Sequence, residues 1–189
     1  MSDADLFIKL LPEILDDPAA AKVYDPVVCC GSPAALSSAA KWLGSMIARR
    51  LPDAEIVRID GDVFINRLIQ TIKESGDITR FTKSWCSGTV LILTGLEAFS
   101  GKEMSGEILY HILDAYLLRG QPIVVFTGTP PSRIPKLMPR IRAQLEGGIL
   151  LDLGNDPIGN INSYFLGRWE NDKSFSSERT ACTDRAAPL

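Results

Sequence analysis

The sequence has little of what metal centres and disulfide scaffolds require. Its 189 residues include one histidine and four cysteines, and no cysteine pair has the Cys-x-x-Cys spacing of a metal or redox site. Cys29 and Cys30 are adjacent inside an apolar run, whereas Cys86 and Cys182 are isolated. We therefore expect four free thiols, as is usual in a reducing compartment.

Long apolar runs and an excess of positive charge are also missing. No segment approaches the ~20 apolar residues that cross a bilayer, and the first residues, Met-Ser-Asp-Ala-Asp, lack the basic stretch of a signal peptide. We predict a cytoplasmic protein with no membrane partner. The net charge of −3 gives no general attraction to nucleic acid, so any DNA contact would depend on a local basic surface.

What the sequence does have is a regular alternation of short apolar runs and amphipathic segments. With 46% hydrophobic residues, the chain can bury the core of one domain. Segments with apolar residues at helical spacing separate the runs, and a polar stretch, 77–87, precedes the third. This order predicts an α/β fold in three layers, a parallel five-stranded sheet with helices on both faces. The predicted strands are 27–30, 55–59, 90–93, 122–127 and 149–153.

The ends of the chain differ from this pattern. Residues 1–22 form an N-terminal helical segment, predicted as a helix broken at Pro12 or as two short helices. The core spans 23–155. A short helical remnant is predicted over 156–170, and the polar, aperiodic residues 171–189 are expected to be disordered.

Three segments of the sequence resemble the AAA+ core of the bacterial replication initiator DnaA and its relative Hda. Residues 24–31 (YDPVVCCG) are similar to the family's Tyr-Asn-Pro-strand-Gly approach to the P-loop. Residues 99–115 resemble the segment after Walker B, in which Lys-Glu and a later His keep the same spacing. Residues 128–148 resemble the stretch from sensor 1 through the arginine-finger helix. The resemblance, over about 24–153, implies an AAA+ type P-loop NTPase fold with a truncated lid domain.

The P-loop positions implied by this resemblance are degenerate. A phosphate cradle of the form GxxxxGK[ST] needs glycines for close backbone approach, a lysine to neutralise charge and a hydroxyl for magnesium. Gly31 is present, but Leu36 stands at the second glycine and Ser37 at the lysine. Ser32-Pro33 is typical of an ordinary N-cap followed by proline at the first helical position. We favour a capped helix without phosphate.

The Walker B and sensor 1 positions have also changed. Thr94 and Gly95 stand where the family carries acids that hold magnesium, and neither offers a carboxylate. Glu97 follows two residues later, and we expect a surface carboxylate, with a displaced catalytic base as the alternative. Residues 127–129 match sensor 1. An unusual nucleotide site built from Ser37, Ser38 and Glu97 remains the competing hypothesis, with Ser38 as the magnesium hydroxyl.

The arginine finger is missing, although basic residues remain nearby. The family's Ser-Arg pair falls on residues 143–144, which are Ala and Gln, and we transfer no lid role to Arg168. A run of four basic residues without an acid either forms a solvated helix face or binds a protein partner or single-stranded DNA. Its members are Arg133, Lys136, Arg140 and Arg142. His111 is expected to be packed or hydrogen-bonded rather than a metal ligand.

Together these substitutions predict a protein that is not an enzyme and has no cofactor. The P-loop lysine, both Walker B acids and the finger arginine are replaced at once, which removes phosphate binding, metal binding and activation of a neighbour. The expected function is regulation of replication initiation by a pseudo-ATPase that contacts DnaA or Hda-type partners. Two alternatives remain: an AAA+ protein that binds ATP or ADP with magnesium at an unusual site, and a single-stranded DNA-binding accessory protein.

Overall fold

The computed structural model describes residues 3–154. The helical remnant and disordered tail predicted over 156–189, including Arg168, lie outside this range. The strands are β1 Val27–Cys30, β2 Ile56–Asp60, β3 Val90–Thr94, β4 Ile123–Thr127 and β5 Ile149–Asp152. The helices are α1 Asp3–Asp16, α2 Pro18–Tyr24, α3 Pro33–Arg50, α4 Gly61–Glu74, α5 Ile78–Trp85, α6 Glu103–Arg119 and α7 Pro139–Glu146. Two 3₁₀ turns are η1 Leu96–Phe99 and η2 Pro131–Arg133.

The five strands form one parallel sheet in the order β2-β3-β4-β1-β5. This confirms the predicted fold class. All residues of β4, and all of β3 except Thr94, are buried, as expected for central strands covered on both faces. Because parallel strands all end at the same edge, this carboxyl edge gathers the loops that carry the candidate site.

Each face of the sheet has its own apolar core. On one face α1 and α3 pack over the strands, with Phe7 and Leu43 fully buried. On the other face α4 to α7 pack together, with Phe64 and Tyr116 fully buried. The helical layers hold the strands rigidly, so the positions of their ends are determined by the core.

The N-terminal segment packs on the core, and the break predicted at Pro12 is wrong. Pro12 lies inside a continuous α1. A proline in a helix interior costs ~3 kcal/mol, and the burial of Leu11 and Ile14 on either side of Pro12 offsets that cost. At its start α1 also contacts the edge strand, since Asp3 Oδ2 accepts a hydrogen bond from Asp152 N–H at 2.7 Å.

Helix α5 occupies much of the stretch described above only as polar. Asp77 caps it, because its Oδ1 accepts a hydrogen bond from Arg80 N–H at 2.9 Å. Phe81 and Trp85 lie on one side of this helix and both contact the ring of Phe64. Aromatic residues four positions apart were the available signal for this helix.

Candidate functional site at the carboxyl edge

At the end of β1, the turn that would cradle phosphate is closed by the chain itself. Ser32 N–H donates to the carbonyl of Gly154 at 3.1 Å. A Cβ atom at Gly31 would lie 3.0 Å from the same carbonyl oxygen, so the two backbone segments are close. Pro33 contributes no N–H. One donor of the turn is therefore engaged within the chain and another is chemically absent.

Ser32 and Pro33 begin α3 as predicted. The Ser32 hydroxyl accepts a hydrogen bond from Ala35 N–H at 3.3 Å, and Pro33 occupies the first helical position. Ser37 is exposed and Ser38 is half-buried on the following turn. The structure thus confirms the capped helix, while a nucleotide role for the two serines stays a prediction.

The end of β3 is fastened to the neighbouring strand β2. Thr94 Oγ1 donates to Asp60 Oδ2 at 3.3 Å. The other oxygen of Asp60 caps α4 by accepting from Val63 N–H at 3.2 Å. Gly95, with φ of 65°, makes the turn that follows, and a Cβ on Gly61 would lie 2.1 Å from its carbonyl oxygen. The Walker B position is therefore a tight structural turn.

Glu97 bridges the ends of β3 and β4, so the expectation of a surface carboxylate is wrong. Its Oε1 accepts a hydrogen bond from Thr129 N–H at 3.0 Å and lies 2.7 Å from the hydroxyl oxygen of Thr127. Glu97 is half-buried, and Thr127 is only 1% exposed. The sequence offered a weak signal, a carboxylate and two hydroxyl residues at adjacent strand ends, but the contact spans 30 or more residues.

The middle of this edge carries negative charge. Burial, together with the negative charges of Asp152 and Glu97, raises the pKa of the Cys30 thiol to about 11. Cys30 is therefore a protonated thiol at neutral pH. An incoming phosphate would meet the repulsion of these carboxylates, and the position of the P-loop lysine, which would offset it, is held by Ser37.

The structure divides the predicted basic run. Arg133, Lys136 and Arg140 are exposed, and the Arg140 guanidinium lies 5.8 Å from the centre of the Tyr110 ring. Arg142 does not belong to this surface, because it is half-buried and its Nη2 donates to the carbonyl of Ile134 at 3.1 Å. We use "basic surface" below for Arg133, Lys136 and Arg140.

A groove of about 580 Å³ lies beside the basic surface, between the starts of α6 and α7. Phe99 and Met138 contribute apolar lining. The charged lining residues are of both signs: Lys102, Lys136, Glu103 and Glu107.

His111 is exposed on α6, and its ring lies 5.6 Å from the ring of Tyr110. We expected a packed or hydrogen-bonded histidine. In the described part of the chain, His111 is exposed and packs against the Tyr110 ring. Within residues 3–154 there is no group of three or more His, Cys, Asp or Glu side chains that could hold a metal ion.

The chain can be compared with known proteins once this geometry is described. A family model of the bacterial DnaA ATPase domain matches residues 16–152. The chain belongs to this family. In the part of the DnaA-family chain that the structure describes, no helix is long and apolar enough to span a membrane.

Solved structures share the fold of this DnaA-family chain. Domain III of Thermotoga maritima DnaA has a TM-score of 0.72 and 18% identity, over 90% of this chain and 69% of that one. A replication initiator DnaA bound to AMPPCP and single-stranded DNA has a TM-score of 0.70 and 20% identity, over 86% of this chain and 49% of that one. A DNA replication initiation factor has a TM-score of 0.70 and 22% identity, over 78% of this chain and 45% of that one. The chain thus spans about half the length of the last two.

The amino edge of the sheet, where the strands begin, carries a buried carboxyl group that our reading of the sequence did not single out. Asp25 Oδ1 accepts a hydrogen bond from Ile123 N–H at 3.3 Å, whereas Oδ2 is buried and has no hydrogen-bond partner among the described residues. Burial raises the pKa of Asp25 to about 7. This group is remote from the candidate site and bears on stability.

Proposed function

We propose that this protein is a non-catalytic member of the DnaA ATPase domain family that regulates replication initiation by binding DnaA or an Hda-type partner. The observation that carries the proposal is the closed turn after β1, where Ser32 N–H donates to Gly154 rather than being free for a phosphate oxygen. An ATPase needs that turn open and a lysine beside it. Here Pro33 and Ser37 stand in those places.

The second support is the loss of metal chemistry at β3. Magnesium in such a site is held by a hydroxyl and a carboxylate close to the phosphates. Thr94 supplies no carboxylate, and the nearby carboxylates of Asp60 and Glu97 already accept hydrogen bonds from the chain. Moving either one to a metal would break a helix cap or the contact between two strand ends.

Protein binding is proposed because exposed basic residues and a groove with apolar lining lie next to the degenerate site. The basic surface is exposed and lies beside a groove that combines apolar and charged groups. Interfaces typically combine an apolar centre with a charged rim that orients the partner. A partner with an acidic patch would fit this surface.

Two alternatives keep specific support. An unusual ATP or ADP site with magnesium would use the hydroxyls of Ser37 and Ser38 on α3 and the carboxylate of Glu97 after β3. Single-stranded DNA binding is favoured by the exposed basic surface, and one similar DnaA structure contains single-stranded DNA. That alternative predicts binding that falls steeply with salt and is lost in Arg140→Ala.

The test is equilibrium binding of the purified chain to purified DnaA of the same cell, with ATP and with ADP. We expect saturable binding that the double variant Arg133→Glu/Arg140→Glu weakens by about tenfold or more, as removal of complementary charge does. The matched control is Arg80→Glu/Lys83→Glu, which reverses two exposed charges on α5. No binding to DnaA or an Hda-type protein in either nucleotide would refute the proposal.

A further inference from the structure

We infer that the Glu97 carboxylate acts as a built-in anion that latches the ends of β3 and β4 together without any ligand. The latch consists of Glu97 Oε1, the hydroxyl of Thr127 and the N–H of Thr129. One oxygen atom lies 2.7 Å from that hydroxyl oxygen and 3.0 Å from that nitrogen. Thr127 is the last residue of β4, and Thr129 lies in the loop that follows it.

Burial restricts the acceptors that are open to the two donors of the latch. Thr127 is 1% exposed, so its hydroxyl cannot be satisfied by bulk water. The hydroxyl also lies 2.8 Å from the carbonyl oxygen of Thr129, but its one proton serves one acceptor at a time. The N–H of Thr129 donates to Glu97 Oε1 at 3.0 Å and also lies 3.4 Å from Thr127 Oγ1, so removing the carboxylate leaves this partly buried donor only the longer contact.

The arrangement has the chemistry of an anion site. A hydroxyl and a backbone N–H two residues apart that converge on one oxygen are the donors that bind phosphate or carboxylate groups. In this chain the anion comes from η1, 30 residues before Thr127 in sequence. Because the carboxylate is tethered, its effective concentration exceeds that of a free anion, and it holds the site permanently.

The latch fixes the loop that carries two residues of the basic surface, Arg133 and Lys136. The segment around η1 holds this loop at two further points: Ser100 Oγ donates to the carbonyl of Pro135, and Gly101 N–H donates to the carbonyl of Lys136 at 3.0 Å. Glu97 anchors the start of the loop, and these two bonds anchor its end. Arg133 lies between the anchors, so its position depends on both.

This inference deepens the proposed function, and its link to that function rests on the proposal that the protein acts without nucleotide. A loop held by an internal anion needs no nucleotide to become ordered. Glu97 is assigned as a positioning residue, with no catalytic role. The prediction is therefore about the order of the loop in the ligand-free protein.

The experiment is hydrogen–deuterium exchange of the full chain, followed at residues 128–136, with thermal unfolding in parallel. In Glu97→Ala we expect exchange of the Thr129 amide to accelerate by about tenfold or more, with a lower Tm. Glu97→Gln keeps one neutral acceptor oxygen and should show a smaller acceleration, which keeps the test available if the alanine variant does not fold. The control is Glu107→Ala, an exposed glutamate on α6 whose loss should change neither readout.

Chemical rescue separates an anion site from a general loss of packing. In Glu97→Ala, sodium acetate at constant ionic strength should restore protection of the Thr129 amide, whereas chloride should not and wild type should not respond. Exchange in Glu97→Ala that equals wild type would overturn the latch. If exchange of the Thr129 amide is faster in Glu97→Ala and acetate does not slow it, the assignment of Glu97 as a bound anion is overturned.

A double-mutant cycle tests the partner group. Thr127→Val removes the hydroxyl with little change of shape, and the effects of Glu97→Ala and Thr127→Val should be strongly non-additive because both remove the same contact. Additive effects would contradict the latch. All these measurements omit nucleotide and partner, so their failure leaves the proposed function standing, and failure of DnaA binding leaves the latch standing.

Discussion

The interior of the sheet and its carboxyl edge have changed to different degrees in this chain. The interior of β3 is a fully buried aliphatic strand, yet at its end stand Thr94 and Gly95, where the resemblance to the family led us to expect acids that bind magnesium. The interior needs only apolar side chains of suitable size, whereas the edge needs particular charged groups in particular places. A fold can therefore persist after the groups of its site have been replaced.

Contacts within the chain nevertheless hold this edge together, and we propose that they stand where a nucleotide-binding relative would contact its ligand. Gly154 closes the turn after β1, Asp60 holds Thr94, and Glu97 holds the loop after β4. The comparison therefore predicts that substitutions in the interior cost much stability, while those at the edge cost little and alter local order.

The largest effect is expected inside β3. Leu93→Ala removes a fully buried side chain and should lower the free energy of unfolding by about 3 kcal/mol. Thr94→Val, one residue further at the edge, should cost less than about 1 kcal/mol, because the hydroxyl makes only long contacts, at 3.3 Å to Asp60 Oδ2 and 3.5 Å to the carbonyl of Ile59. Urea unfolding of both variants measures the difference. Equal losses would contradict the distinction between interior and edge.

A second effect concerns Asp25 at the amino edge and depends on pH. Its pKa rises from 3.8 to about 7 on folding, so between these values the folded state binds the proton and the unfolded state does not. Stability should therefore fall as pH rises from about 4 to about 7 and then level off.

Asp25→Asn keeps an acceptor for Ile123 N–H and removes the charge. At pH 8 it should stabilise the protein by an amount on the order of 2 kcal/mol, with little effect at pH 4. Chemical unfolding across this pH range checks the sign. A variant whose pH profile matches wild type would show that Asp25 ionises normally in the folded protein.

At the closed turn, Ser32→Ala should cost about 1 kcal/mol, because it removes the N-cap of α3. Ser32→Asp, which retains a capping acceptor, should stay close to wild type. Thermal unfolding of the two variants distinguishes a structural cap from a phosphate-binding turn. A loss seen only in the presence of ATP would favour the phosphate role.

The smallest effects should divide the basic run in the way the structure does. Arg142→Ala loses a hydrogen bond to Ile134 and part of its packing, so we expect a loss of about 1 kcal/mol. Arg133→Ala is exposed and should change stability by less than about 0.5 kcal/mol. Equal losses of stability in the two variants would indicate that Arg142 is as exposed as Arg133.

Most of the fold was predictable because its signals are local. Buried parallel strands are uninterrupted apolar runs, and the Ser32-Pro33 cap lies within one helical turn. The continuity of α1 through Pro12 was not predictable, since burial on the sheet decides it. Helix α5 was missed because its apolar residues are few and its polar residues dominate the stretch.

The candidate site was less predictable because its contacts join distant segments. The replaced P-loop and Walker B positions are visible in the sequence. The role of Glu97 depends on the adjacency of β3 and β4. The closure of the turn at Ser32 depends on Gly154, which is distant in sequence but follows the neighbouring strand β5. In the sequence Arg142 cannot be distinguished from the other basic residues of its run. Its contact with the carbonyl of Ile134 depends on how α7 packs.

The most direct test of the central claim is thermal unfolding of the full chain with and without 1 mM ATP and magnesium. A ligand present at about 100 times its Kd adds about 2.7 kcal/mol, which corresponds to a rise in Tm of roughly 5–10 °C for a chain of this size. We predict no change in Tm. A clear rise that Ser38→Ala abolishes would contradict the claim that this edge has lost nucleotide binding.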